Sequence, residues 1–504
     1  MQGHSDANSE LLDAMALCRQ LVPQGSVEAF LADHRKDLFP DERFEDLFPS
    51  TRGRPSIPAD VVASVMVLQS LEGLSDREAT RALVDRISWK VACGLALDDQ
   101  GFDYSVLTYW RTRLRQSEHP DRVFEAVRDV VAQTGVLRGK NKRALDSTLL
   151  DDAVATQDTV TQLVAQIRKV RRLVPLTAAV EVIAHDYDQP GKPLIDWADP
   201  DERDALVHRL MTDAFAVLGA AEDVALDEDQ ADAVALLALV AGQDVELDEH
   251  GRWRIAHKVA KDRVISVADP EARHMHKSRS EYRDGYKAHL AVEPETGLVT
   301  AAVLTPANAS DARTGMALLE REDAPRTVLA DGAYGSGPML AALDEAGHVP
   351  VVKPFPHGDN GLFGRDDFLV DEVARTVTCP AGHTVTFTSS RNAVFRGRCT
   401  GCPLRSRCTT AKRGRTLHLT KDDRHLAAAR RRWRDKSQLE EYRKWRPMVE
   451  RSIAWLVRDR YRRVRFRGVE RNQLRLSTRV AAINLRRLVH LGLDLDGTWV
   501  LNTT

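Results

Sequence analysis

Long apolar runs are missing from this chain. The most apolar stretch, ADAVALLALVAG at residues 231–242, is too short to span a bilayer. The opening MQGHSDANSE has neither the basic nor the apolar segment of a secretion signal, so the expectation is a cytoplasmic chain with no membrane partner. Aromatic residues are scarce, at 6%. Ala, Leu, Val and Arg dominate instead, a mixture that favours helices with a few Val-rich strands. No Gly-rich loop ending in Lys-Ser/Thr occurs, which removes a phosphate-loop ATPase from consideration. Internal repeats and low-complexity tails are absent as well. Net charge is nearly missing, at −2 over 504 residues, and on its face this argues against a nucleic-acid partner. What the chain does have is an apolar fraction of 43%, enough for at least one large core, and a length that suggests about two to four domains.

The near-zero charge conceals a division. Residues 405–471 hold 23 Lys/Arg against 8 Asp/Glu, a net of +15, whereas residues 181–250 hold 3 against 19, a net of −16. A dense basic segment can meet phosphates whatever the whole-chain balance. Of its 23 basic residues 19 are Arg, in strings such as RRRWR and RDRYRRVRFRG, and the planar guanidinium fork suits phosphate. Solvated helical faces are the alternative explanation of such runs.

Along the chain, residues 1–50 read as a helical, acid-leaning lead-in. Residues 51–120 carry apolar residues at helical spacing, punctuated by Gly73 and Ser75. Ser75 is placed to cap one helix and Ser105 another, the second bearing Arg111, Arg113 and Arg115. Short helices with a basic last member suit a helix-turn-helix type of DNA reader, or an ordinary helical bundle. KRALDSTLLDDAV then reads as a strand, and residues 155–252 as a helical, acidic insertion. Strand character returns in DRVISVADP and in GYKAHLAVEPETGLVTAAVLTPAN, two alternating strands about the turn Pro294-Glu295-Thr296-Gly297. DARTGMALLERED (helix), TVLADGAYGS (strand), GPMLAALDEAG (helix) and HVPVVKPF (strand) follow. Residues 357–420 are polar and Cys-rich, and a long helical region runs from about residue 424 to 493. Without the two insertions, residues 140–356 and 421–493 alternate strand and helix, as an α/β mixed sheet with flanking helices does.

Polar residues fall where such sheets hold their chemistry, at strand ends and helix starts. Asp146 ends the first strand and Asp331 ends a later one. Glu450 sits four residues after Arg446, on the same helical face. Three converging carboxylates repel unless cations neutralise them, and oxygen ligands suit Mg2+ or Mn2+. Two such ions can drive in-line phosphoryl transfer. Asp151, Asp152 and Asp269 compete for the same role, and composition alone does not choose among the 74 acidic residues.

The strings RALDSTLL, TVLADGAYGS and RPMVERSIAWLVRDRYRRVRFRG resemble the three catalytic blocks of bacterial insertion-sequence DDE transposases. GYKAHLAV, TPANASDA and DPEARHMHKSRS look like the intervening blocks, and SDREATRALVDRISWKVACGL resembles the family's N-terminal domain. Together the matches run from about residue 50 to 490. The resemblance implies an RNase H-like core, with Asp146, Asp331 and Glu450 as catalytic ligands of two Mg2+ or Mn2+ ions. The substrate implied is double-stranded DNA, as terminal inverted repeats and target, handled by a homodimer in the synaptic complex. Lys287, Tyr334, Arg446 and Arg458 are the expected phosphate contacts near the metals, beside Arg111, Arg113 and Arg115 in the N-terminal domain. Many relatives precede the Glu with Tyr and Arg and place Lys seven residues after it. Here Arg446 fits the Arg position, Tyr442 lies one residue from the Tyr position, and Val457 stands at the Lys position with Arg458 beside it. A metal-dependent nuclease without strand transfer and a non-catalytic DNA-binding derivative are the alternatives.

Cysteine is sparse, with six residues, of which Cys18 and Cys93 lie in apolar helical contexts. Cys379, Cys399, Cys402 and Cys408 cluster in TVTCPAGH and CTGCPLRSRC. Such grouping in a cytosolic chain favours a structural Zn2+ with four thiolate ligands over disulfides, with His383 able to replace one and simple reduced thiols as the alternative. His274 and His276 read as a polar loop beside basic residues.

Overall fold

The computed structural model describes residues 1–5, 11–276, 281–354 and 361–502. The end of the DPEARHMHKSRS block and the start of the Cys-rich segment lie outside the described residues. Six strands build the main sheet: β1 (Lys142–Asp151), β2 (Arg273–His276), β3 (Tyr282–Glu293), β4 (Leu298–Pro306), β5 (Thr327–Ala330) and β6 (Val349–Val352). Their order is β4-β3-β1-β5-β6, with β2 beside the first residues of β3. β1, β3 and β4 are antiparallel neighbours, and β5 and β6 run parallel to β1. The expectation of a mixed sheet with flanking helices holds. Gly285 marks where β3 bends past the end of β1: its φ is +140°, and a Cβ there would stand 2.3 Å from the Leu150 carbonyl oxygen.

Helices α1 (Val27–Leu38), α2 (Ala59–Glu72), α3 (Asp76–Asp85), α4 (Ile87–Cys93), α5 (Ser105–Gln116) and α6 (Arg122–Thr134) precede the sheet. The Ser75 hydroxyl accepts from the Glu78 N–H, and the Glu78 carboxylate accepts from the Ser75 N–H, a full capping box for α3. Ser105 does not cap α5. It is the helix's first residue, and its N–H is accepted at 2.9 Å by Asp103, whose short carboxylate does the work expected of the serine.

Between β1 and β2 the chain forms α7 (Thr159–Leu173), α8 (Pro200–Ala221) and α9 (Glu228–Gln243), closed by a short hairpin of Val245–Leu247 and Trp253–Ile255. Leu163, Ile167, Leu206, Leu210, Met211 and Leu237 give these helices a core of their own. DRVISVADP is not a strand. Val264 and Ile265 are buried, while Asp269 turns inward to accept from the Tyr286 hydroxyl at 2.7 Å. These side-chain demands interrupt the alternation expected of a ladder.

Helix α10 (Asp311–Ala317) joins β4 to β5 and α11 (Gly337–Glu345) joins β5 to β6. The chain closes with α12 (Asp423–Arg434), α13 (Lys436–Trp445), α14 (Pro447–Val457) and α15 (Val469–His490). Helix α15 lies between the N-terminal helices and the sheet, packed on α2, α6 and β4. Its long inner face makes Phe30, Phe44, Met66, Trp110, Leu290, Leu329 and Leu485 parts of one continuous core. The joint is also polar. Arg479, 1% exposed, donates to the carbonyls of Ser70 and Leu71 at the end of α2 and to those of Trp455, Leu456 and Arg458 at the end of α14. Arg465 donates to the Gly73 and Leu74 carbonyls, and a Cβ on Gly73 would stand 1.8 Å from the Asp459 carbonyl oxygen.

Replacing Arg479 with Met removes the shared donor from five carbonyls. The expected loss is on the order of 3–5 kcal/mol, as for breaking a buried charged network, seen as a thermal midpoint lower by roughly 3–5 °C in a chain of this length. A midpoint within a degree of wild type would show that α15 is held to α2 by apolar packing alone.

Candidate active site

Parallel pairing of β1 with β5 runs from Lys142↔Thr327 to Leu145↔Ala330. One step further along both strands stand Asp146 and Asp331. Side chains in register on parallel neighbours share a face of the sheet, about 4.8 Å apart. That face is covered by α14, which begins immediately after Arg446 and carries Glu450 in its first turn. The Arg446 guanidinium is buried and meets the Asp146 carboxylate at 2.9 Å. The other Asp146 oxygen accepts from the Ser147 N–H at 2.8 Å, and Asp331 accepts from the Ala333 N–H at 3.0 Å, capping a short turn.

Burial pushes the Asp146 carboxyl above its ordinary range, Arg446 opposes this, and the neighbouring Asp331 adds to it. Burial also works against the Arg446 charge, but Asp146, Tyr442 and Asp331 outweigh it and hold the proton more firmly than usual. Two guanidinium nitrogens of Arg446, Nε and Nη1, are buried with no hydrogen-bond partner among the described residues. Glu450 stands apart from the pair. Its side chain is 66% exposed and reaches only Arg446, at 4.0 Å. Among the described residues, no three His, Cys, Asp or Glu side chains converge closely enough to enclose a metal ion.

The remaining expected DNA contacts fall in two groups. Lys287 and Tyr334 are inside the protein, at 3% and 0% exposure. Lys287 lies 3.3 Å from Asp311 and donates to the Ala309 carbonyl. Burial, with Asp311, Asp146 and Asp331 nearby, drives the Tyr334 hydroxyl well above its usual range. Arg111, Arg113 and Arg115 are engaged within the chain: Arg111 with Asp76 at 2.7 Å, Arg113 with the Leu47 carbonyl and the Phe48 and Tyr109 rings, and Arg115 with Glu470 at 3.1 Å. Arg458 is exposed.

Sequence reasoning missed His289 and Asp311. His289 is fully buried on the opposite face of the sheet, between Thr305 at 3.0 Å and Asp311 at 3.4 Å, and burial lowers its pKa to about 4. Their signal was the period-two spacing of Lys287 and His289 in a strand otherwise apolar along that stretch.

Of the competing carboxylates, Asp151 pairs with Arg283 at 2.8 Å. Asp152 and Asp269 are buried at the far end of β1, each with an oxygen lacking a partner among the described residues. Burial, together with Asp284 and Asp269, pushes Asp152 up to about 6.

In the Cys-rich segment, the four clustered cysteines and His383 line one small cavity of about 20 Å3. All four are free thiols, and burial raises the Cys408 pKa, with the other three thiols adding to the effect. Phe368, Val377, Phe387 and Phe395 pack beneath.

Two family descriptions match this chain: "Transposase domain (DUF772)" over residues 17–113 and "Transposase DDE domain" over residues 242–485. No curated protein and no solved structure matches it. The chain therefore belongs to the insertion-sequence DDE transposases, enzymes of phosphoryl transfer on DNA. It is a DNA-binding enzyme of a class that uses divalent metal ions, generally Mg2+. Asp331 and Glu450 lie inside the matched range. Asp146 precedes it, separated by the helices of the α7–α9 unit. Among the described residues no helix is long and apolar enough to cross a membrane.

The raised Asp152 makes a pH-dependent prediction. A carboxyl that ionises at higher pH when folded than when unfolded costs stability above its folded value, and that cost vanishes as pH falls toward the unfolded one. Asp152→Asn should therefore stabilise the protein at pH 8 by about 2–3 kcal/mol. The gain should shrink through pH 6 and be gone near pH 4, as thermal midpoints across that range would show.

Proposed function

We propose that Asp146, Asp331 and Glu450 are the catalytic carboxylates of this transposase, set on an RNase H-like core formed by residues 140–356 and 421–493. The observation that carries this reading is the register of β1 with β5. It supports a pair of carboxylates side by side, Asp146 within β1 and Asp331 just past the end of β5, beneath the helix that bears Arg446 and Glu450. The donors suit hard cations: Asp331 has an oxygen beyond the one capping its turn, and Glu450 is open to solvent. Asp146, Asp331 and Glu450 would hold two Mg2+ or Mn2+ ions. Bound there, the ions supply activation of a water or 3′-hydroxyl nucleophile and neutralisation of the leaving oxygen.

The chain's own groups prepare that site. Arg446 opposes the upward push of burial on the Asp146 carboxyl and fixes the direction of that carboxylate. The Ala333 N–H aims Asp331. Glu450, one helical turn beyond Arg446, completes the set from the solvent side when its side chain turns inward. Lys287 and Tyr334, being buried, act as supports beneath the strands rather than as phosphate contacts. Exposed Arg443, Lys444, Arg451 and Arg458 on α13, α14 and just beyond supply a basic approach for the DNA backbone. The helices of residues 51–120 hold the element's terminal inverted repeats, with Arg111, Arg113 and Arg115 bracing α5. Two ends need two sites, so a homodimer forms the synaptic complex. Cys379, Cys399, Cys402 and Cys408 would hold one structural Zn2+ on drawing closer together than they stand among the described residues, bracing the segment that leads into α12; their lining of one small cavity supports this.

Labelled element ends, target plasmid and Mg2+ test the triad. Wild type should give joined products, and Asp146→Ala, Asp331→Ala and Glu450→Ala should each lower their rate by at least about a hundredfold while leaving DNA binding in place. Joining that persists in any of the three sinks the assignment of that residue, and cleavage without joining by wild type favours a nuclease. For the thiol cluster, elemental analysis should find about one zinc per wild-type chain, as a four-thiolate site binds one ion. Cys402→Ser should lose zinc and thermal stability together, and equal zinc content in the two proteins would reject the site.

A further inference from the structure

A second feature of α14 lies beyond its last turn. Trp455 and Arg458 from the end of α14, with Ile483, Arg486, Arg487 and His490 from the last turns of α15, line an open cavity of about 350 Å3. Four of these six side chains are basic. Arg487 and His490 sit in the final turn of α15, where cations suit the helix dipole, and Arg487 also donates to the Thr296 carbonyl at 2.5 Å. Neither explanation reaches Arg458 or Arg486. Arg486 is half-buried and makes no hydrogen bond or ion pair within 4.0 Å among the described residues. The nearest acid to Arg458, Asp459, is 3.6 Å away and equally far from Arg479. Burial and the facing Arg458 both weaken the hold of Arg486 on its proton, with Asp459 opposing them to a smaller extent. The turn that presents Arg458 is held by two consecutive non-glycine residues in the left-handed region, Asp459 at φ 57° and Arg460 at φ 67°. Local strain of this kind persists only where surrounding structure imposes it.

We propose that this cavity takes a backbone phosphate of the bound DNA, gripped by Arg458 and Arg486, with the adjoining nucleoside against the Trp455 indole. The proposal rests on the transposase reading above and adds a position to it. Arg458 is eight residues past Glu450, on the order of 12 Å along α14, or roughly three to four base-pair steps of duplex. The cavity is also bordered by Gly25 of the N-terminal region, so a strand held there would touch both matched parts of the chain. Guanidinium forks suit phosphate oxygens, and an indole face takes a sugar or base without regard to sequence.

The test is binding of the full chain, in metal-free buffer so that no cleavage intervenes, to duplexes carrying the terminal inverted repeat with one neutral methylphosphonate at each position in turn. For wild type, neutralising one or two adjacent phosphates should weaken binding roughly threefold to tenfold. Arg486→Gln should lose a similar factor on the unmodified duplex and become indifferent to those positions. Its plot of log affinity against log salt should be shallower by about 0.9, the share of one phosphate contact. Arg486→Lys should recover part of the loss, which a merely misfolded Gln variant would not explain. Wild-type affinity in Arg486→Gln, or losses that simply multiply at every position, overturns the proposal. So does an effect confined to inorganic phosphate, followed by phosphorus NMR line broadening, with DNA binding unchanged. Failure of wild type to bind any of the duplexes would instead overturn the functional reading beneath it.

Discussion

The parallel pairing of β1 with β5 is the constraint on which the rest of the site depends. The two strands are separated by the α7–α9 unit, by the β3–β4 hairpin and by α10, and only their hydrogen-bonded register makes Asp146 and Asp331 neighbours. A slip of one residue would turn one carboxylate to the opposite face of the sheet, since side chains alternate along a strand. Apolar pairs secure the register. Ala144 and Leu329 lie in the core shared with α14 and α15, while Leu145 and Ala330 lie in the core beneath α10 and α11. Burial on both faces leaves no alternative alignment that keeps the apolar side chains covered. Two carboxylates are thus held together by residues that have no chemistry of their own.

A second economy concerns arginine. From composition the stretch 405–471 reads as a single basic surface, but the structure divides it. Arg446, Arg462, Arg463 and Arg465 spend their guanidinium groups on Asp146, on strand carbonyls and on the end of α2. Arg475 and Arg479, further along, stack on Tyr461. Bonds to main-chain carbonyls suit Arg because its five donors can serve several acceptors at once. The same residues that raise the net charge of the segment therefore fasten the N-terminal helices to the main sheet and to α14. What remains free of such internal duties, and is proposed for DNA, is the exposed subset on α13, α14 and the turn that follows. A count of positive charges overstates such a surface when arginines also serve as internal braces.

This division explains what was legible in the sequence and what was not. The alternating runs of β3 and β4 about Pro294–Gly297, the capping box at Ser75, and the strand that ends just before Asp331 follow from local pattern, and the structure contains each of them. The first strand does not end at Asp146 but runs on to Asp151, because β3 pairs with it that far. Local pattern failed where a distant partner decides the outcome. Val264 and Ile265 suggest a strand, yet the surrounding segment is bent by Asp269 reaching Tyr286 on β3. Asp103 and Ser105 compete to start α5, and only geometry shows the carboxylate capturing the serine N–H. Lys287 looks like a surface strand residue because lysine is rarely buried. Nothing local announces that Asp311, from the start of α10, will pair with it. The motif resemblance located Glu450 on its helix but carried no information about its side chain, which points to solvent and meets the pair only through Arg446.

That last arrangement bears on the proposal that these three carboxylates hold cations. Asp146, Asp331 and Glu450 bring three negative charges to one face of the sheet, and Arg446 is the only basic side chain within 4.0 Å of any of them among the described residues. It is bonded to Asp146, whose carboxyl burial pushes up, and so offsets the charge that burial penalises there. Two negative charges are left for Asp331 and Glu450. Glu450 lowers its cost by standing in water, whereas Asp331 is fixed at a strand end beside Asp146 and spends one oxygen on its turn. Drawing Glu450 inward would restore the full repulsion unless positive charge entered with it. On the proposed reading, closure of the carboxylate set is thus linked to cation binding: drawing Glu450 inward calls for added positive charge, since Arg446 is already engaged by Asp146.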